Sequence, residues 1–213
     1  TIPDDGLDRS RTDPDRVTAL RKELKRRDLD SFIIPKADEH QGEFVSRRSE
    51  RLQWLTGFSG SAGSAIVMRR KVAAVFIDGR YTLQVKKQVD GKLFEYVHTA
   101  ERSQIDWLRE NLSSGMRLGF DPWLHTDAMR RRIKDVCKET GAALVAVSDN
   151  PVDAIWKTQP VAPISPMVPH PQKYAGESAA KKRAAIAKTL KDQNLDAAVL
   201  TAPDSIAWLL NIR

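Results

Sequence analysis

Cysteine is nearly absent: Cys137 is the only one in 213 residues. That excludes an internal disulfide and fits a reducing compartment. Histidine is scarce too. His40, His98, His125 and His170 stand far apart, with no HExxH run and no Cys–His metal spacing. Each is therefore expected to be a surface or capping residue, and no metal ligand is expected among them. No apolar run approaches the ~18 residues of a membrane helix, and the polar residues 1–15 do not resemble a signal peptide. The protein is expected to be soluble and cytoplasmic, with no membrane partner.

A single strongly basic patch is also lacking. The net charge is +7, but the cations are dispersed and interleaved with Glu23, Asp28, Asp135 and Glu139. This pattern fits solvated helix faces and argues against a nucleic-acid partner. Hydrophobic residues make up 41%, enough for a sizeable core and against general disorder.

The apolar pattern alternates between periods. Asp13 can cap a helix that starts at Pro14 and carries Val17, Leu20 and Leu24 on one face. Phe32, Ile33 and Ile34, ended by Pro35, read as a buried strand, and a short helical piece is centred on Leu52, Trp54 and Leu55. Residues 64–68 and 72–77 read as an antiparallel hairpin. Beyond it, helices are expected over 81–89, 105–112 and 126–139, and strands over 93–97, 117–120 and 143–147. The fold class is α/β, a mixed β-sheet flanked by helices.

Composition then shifts. Pro151, Pro160, Pro163, Pro166, Pro169 and Pro171 are six of the 11 prolines, and repeated proline excludes helix interior and central strand. The first domain is expected over 1–157 and an extended linker over 158–174. The residues after the linker repeat the start of the chain. Ala185, Ile186, Leu190, Lys191, Leu195, Asp196 and 198–200 echo Ala19, Leu20, Leu24, Lys25, Leu29, Asp30 and 32–34 at an offset of 166. Ile206, Trp208 and Leu209 echo Leu52, Trp54 and Leu55 at an offset of 154. This is an internal repeat of helix, strand and helix. About forty residues cannot bury a core alone, so residues 175–213 are expected to be the truncated start of a second domain. Their strand, 197–201, is expected to lack pairing neighbours.

Three stretches are candidates for chemistry. Asp38, Glu39 and His40 place polar groups in a loop after a strand. Residues 57–63, Gly-Phe-Ser-Gly-Ser-Ala-Gly, fail as a phosphate loop for want of Lys-Ser/Thr, and their GxxGxxG spacing is not that of a dinucleotide site. A turn with close backbone approach accounts for them better. Asp78-Gly79-Arg80-Tyr81 follows a strand and opens a helix. Asp78 can cap and Gly79 can turn, which leaves Arg80 without a structural task. An arginine at a strand end could clamp a carboxylate or carbonyl.

Taken together, 38–41, 55–63 and 78–81, then Gly119-Phe120-Asp121-Pro122, Asn150-Pro151-Val152-Asp153-Ala154-Ile155-Trp156 and 204–213, resemble the N-terminal region of Xaa-Pro aminopeptidases of the cytosolic, three-domain type. The resemblance implies two related creatinase/prolidase-like N-terminal domains before a pita-bread catalytic domain that carries two manganese ions. Its ligands, two Asp, one His and two Glu, would lie in that third domain, so no catalytic or metal residue maps onto this chain. It implies a peptide with penultimate proline as substrate and a homodimer as the assembly. Arg80 is the position the resemblance assigns to peptide binding, with Asp38 and His40 as weaker candidates. Two other readings remain open: a creatinase or dipeptidase relative, and a stand-alone binding or dimerisation module.

Overall fold

In the computed structural model, which describes residues 11–213, the Asp13 side chain accepts a hydrogen bond from the Asp15 amide and starts α1 (Pro14–Arg26). The expected stripe of Val17, Leu20 and Leu24 is buried. The polar stretch up to residue 10 lies outside the described residues. β1 (Ser31–Pro35) comes next, with Phe32, Ile33 and Ile34 all buried, as a strand covered on both faces requires. The remaining strands are β2 (Ser64–Met68), β3 (Ala73–Ile77), β4 (Phe94–His98), β5 (Arg117–Phe120) and β6 (Ala143–Ala146). They form one mixed sheet in the order β4-β3-β2-β1-β5-β6.

β2 runs antiparallel to both β1 and β3, while β1 with β5, β3 with β4, and β5 with β6 are parallel. The carboxyl ends of five strands and the amino end of β2 therefore share one edge. Alternation along the strands divides the core. Phe32, Ile34, Val67 and Val75 pack with α1, α2 (Arg51–Thr56) and α6 (Pro151–Ile155). Ile33, Ile66 and Phe76 pack with α4 (Gln104–Asn111) and α5 (Asp127–Thr140). α3 (Thr82–Gln88) completes the first unit.

Glu23, on α1, bonds to both Arg26 and Arg27. The Arg26 hydrogen bond is the main reason its carboxyl is lowered to about 2. A depressed folded-state value stabilises the fold above the unfolded value and loses that contribution as the acid form is reached. Stability should therefore fall between about pH 4.5 and pH 2. Arg26 is largely exposed, so solvent screening holds the loss to roughly 1 kcal/mol. Acid titration of the melting temperature checks this: Glu23→Gln should flatten the curve in that window, and an identical curve would contradict the assignment. Cys137 is buried on α5, which pushes its thiol up to about 11.

The chain divides into two compact units between Ala162 and Pro163. Pro151, ahead of the expected linker, occupies the first turn of α6, capped by Asn150, where its missing N–H costs nothing. Within the expected linker, Val168 and Arg213 exchange backbone hydrogen bonds of 2.8 and 2.9 Å, Pro169 bridges Ile212, and a helical turn, α7 (Gln172–Ala175), begins after Pro171.

The second unit reproduces the two helices of the repeat and their caps. α8 (Ala179–Asp192) and α9 (Pro203–Leu210) correspond to α1 and α2. α1 ends with Asp28 at φ 55° and a Leu29 amide bonded to the Leu24 carbonyl; α8 ends with Asn194 at φ 54° and Leu195 bonded to Leu190. Gly57 and Asn211 both close their helices in the left-handed region. Arg16 donates to the Trp54 carbonyl (2.6 Å) and sits over that indole; Lys182 donates to the Trp208 carbonyl (2.9 Å) and sits over its indole. The expected strand at 197–201 does not form. β1 owes its ladder to β2 and β5, and the second unit holds no counterpart of either.

Candidate functional site

The loops at the shared strand edge gather the residues singled out in the sequence. The segment 57–63 is a tight turn, as expected. A Cβ on Gly60 would collide with the Phe58 ring, and Gly63 lets its carbonyl accept from Lys36 at 2.9 Å. Tyr81 seals the turn: its hydroxyl lies 2.9 Å from Ser61 Oγ and accepts from the Ser61 amide, and its ring meets Phe58 edge-on.

Arg80 is not without a partner. Asp78 caps the 79–81 turn through the Arg80 amide (2.9 Å) and also receives the guanidinium, Nη2 to Oδ2 at 2.6 Å and Nε at 3.1 Å. Arg80 stands over the Tyr81 ring with its side chain 68% exposed. The Arg80 hydrogen bonds hold the Asp78 carboxyl below its usual range, and Asp78 in turn raises Arg80. Fixed on one edge by Asp78 and from below by Tyr81, the guanidinium still presents Nη1 to solvent-borne oxygen acceptors.

Asp38 is spent on its own loop. Its Oδ1 accepts from the amides of His40 (3.0 Å) and Gly42 (3.3 Å), and its carbonyl accepts from Gln41. His40 is exposed, 3.8 Å from Glu39. No hydrogen bond joins either residue to Arg80. His125, expected to be a surface or capping residue, stands at the carboxyl-terminal cap of the 122–124 turn. It is half-buried against Phe120, its Nδ1 lies 2.8 Å from the Asp121 carbonyl, and burial lowers its pKa.

Sequence reasoning missed a second locus on the same edge. Arg51 donates to Asp153 through Nε and Nη2, both at 2.7 Å. Asp121 accepts from Asn150 Nδ2 (2.9 Å) and from the Trp123 amide. The motifs at 119–122 and 150–156 were visible, but nothing in a linear sequence pairs Arg51 with Asp153. Among the described residues, no group of three His, Cys, Asp or Glu side chains converges to hold a metal ion.

A family model described as Creatinase/Prolidase N-terminal domain matches residues 16–155, and a second of the same description matches residues 158–213. The chain belongs to this family. A probable Xaa-Pro aminopeptidase P of Aspergillus niger is 36% identical over 202 residues, 93% of this chain and 33% of the relative. One from Coccidioides posadasii is 37% identical over 201 residues with the same coverage. The crystal structure of X-prolyl aminopeptidase from Caenorhabditis elegans, described as a cytosolic enzyme with a di-nuclear active site, superposes at TM-score 0.83 with 28% identity, covering 94% of this chain and 34% of that one. This creatinase/prolidase N-terminal domain protein thus spans about a third of the length of the relatives it matches. Its mixed sheet flanked by helices is the expected fold class.

Proposed function

We propose that the chain is the N-terminal, non-catalytic region of an Xaa-Pro aminopeptidase, a metallopeptidase that removes the first residue from peptides with penultimate proline. The observation that carries this reading is 36% identity over 93% of the chain to relatives of that name, of which it covers only a third. Two manganese ions would be held outside these 213 residues. In this reading the enzyme is a cytoplasmic homodimer, residues 1–157 and 175–213 belong to successive related domains, and 158–174 joins them. The paired caps of the two units support the relationship between the domains.

Arg80 contributes to peptide binding. Asp78 and Tyr81 hold its guanidinium in place before a substrate arrives, so little ordering entropy remains to be lost. In the longer enzyme, Arg80→Ala should lower kcat/KM roughly tenfold, as loss of a charge-assisted contact does. Because Arg80 is exposed, the melting temperature should stay within about 2 °C. Arg80→Lys should recover little, since a point charge cannot reproduce the planar fork. Unchanged kinetics in Arg80→Ala would return the residue to a purely local role beside Asp78.

A further inference from the structure

The sheet has a switch point that the Arg80 locus does not use. From β1 the chain builds outwards to β2, β3 and β4, then crosses to the other side of β1 to lay down β5 and β6. In open α/β sheets, the crevice beyond the carboxyl ends of the two strands where the order reverses is the usual place for a ligand. Here that crevice is a cleft of about 670 Å³, lined by Glu39 after β1, Asp121 and Trp123 after β5, Asp149 after β6, and Arg48 and Arg51 beside α2. Its size suits a dipeptide.

A separate observation points to a ligand. Arg51 is 8% exposed, and Asp153 satisfies only its Nε and Nη2. Its Nη1 is buried with no hydrogen-bond partner. A buried guanidinium nitrogen without an acceptor is costly, and a small shift of the side chains that cover it would let an acceptor oxygen in the cleft remove that cost.

We infer that the cleft is a binding site for a zwitterionic amino acid or dipeptide. Both signs of charge stand on its walls. Arg51 Nη1 lacks an acceptor and Arg48 donates only to the Pro160 carbonyl; a carboxylate has the oxygens to meet both. The Asp149 carboxylate is exposed and bonds only to Ser148, and Glu39 has only His40 at 3.8 Å; an ammonium group supplies what they lack. Trp123, 73% exposed, offers a flat apolar wall for the body of the guest. A plain anion would leave the carboxylates unpaired, and a plain cation would leave Arg51 as it is. Binding in this cleft does not require that the chain belong to a peptidase.

The test uses the 213-residue chain, glycyl-leucine, which has no penultimate proline, and amide chemical-shift titration. Saturable shifts at residues 121–125 and 148–150 are expected, with a Kd of roughly 1–10 mM. Trp123→Ala and Arg48→Ala, both changes away from the buried core, should each weaken binding at least about fivefold. Acetylating the amine or amidating the carboxylate of the dipeptide should do the same, whereas Leu83→Ala, at an exposed position of α3 outside the cleft, should change nothing. Absence of saturable shifts up to about 50 mM, well above that range, would overturn the inference. So would equal binding of either blocked dipeptide.

Discussion

Replacing Asp153 with alanine should destabilise the first unit by about 3 kcal/mol, the largest effect expected of any single polar substitution here. The Arg51–Asp153 pair ties α2 to α6 across 102 residues of sequence, with two bonds of 2.7 Å. Its side chains are only 10% and 24% exposed. Removing the carboxylate leaves a buried guanidinium, whose Nη1 is already without a partner, with no countercharge at all. Gln159 also loses one of its two acceptors, since its Nε2 donates to Asp153 Oδ1 at 2.7 Å and to the Arg48 carbonyl at 3.1 Å. For a unit of this size the melting temperature should drop by roughly 10 °C. Replacing both partners, as Arg51→Met with Asp153→Leu, should recover most of the loss, because an apolar pair leaves no buried charge behind. A loss below about 1 kcal/mol in Asp153→Ala would mean that water reaches Arg51 through the cleft and replaces the carboxylate.

Gly57→Ala should cost nearly as much, for a different reason. Gly57 closes α2 at φ 80°, a conformation that costs an L-residue roughly 1–2 kcal/mol. A Cβ there would also sit 2.7 Å from the Gln88 carbonyl oxygen, 2.9 Å from the Arg11 carbonyl carbon and 3.0 Å from the Thr12 amide nitrogen. All three are backbone atoms and cannot rotate away. Relief requires the 11–12 segment to move off Gln88. That breaks the Thr12 amide bond to Gln88 and strains the Thr12 hydroxyl's bonds to the Thr56 carbonyl and the Asp90 amide. At about 1 kcal/mol for each lost bond, the sum is roughly 3 kcal/mol. The repeat supplies a control. The matching position, Asn211, adopts φ 52°, so asparagine tolerates the dihedral. If steric conflict dominates, Gly57→Asn should be as harmful as Gly57→Ala; if the dihedral dominates, asparagine should recover much of the loss. Gly79→Ala, with nothing within 4 Å of the added carbon, should change stability by less than about 0.5 kcal/mol.

Much of this fold was legible because its strands are short apolar runs punctuated by charge and its helices carry clean caps. Ser31–Pro35, the hairpin and the α1 stripe all appear where short apolar runs and 3.6-residue spacing put them. The stretch at 197–201 shows the limit. Its pattern is that of β1, yet a strand exists only through neighbours, and pattern alone does not supply a partner. Pro151 sits in α6, ahead of the expected linker, because proline, excluded from helix interiors, is at home in a first turn. At the Arg80 locus, position was readable from the end of the apolar run at Ile77. The pairing with Asp78 was not, because one carboxylate both caps the turn and holds the guanidinium. The cleft at the switch point was invisible in sequence: it depends on β5 crossing to the far side of β1, a choice of topology that no local pattern records.

If these residues support a peptidase whose metal chemistry lies elsewhere, as proposed, the chain alone must be inert. Incubating the purified 213-residue chain with manganese and an Xaa-Pro peptide, alongside the longer enzyme, tests it most directly. The chain alone should release no detectable N-terminal residue, and its melting temperature should not move with the metal, while the longer enzyme turns over. Hydrolysis that co-purifies with the 213-residue chain and requires manganese would contradict the account.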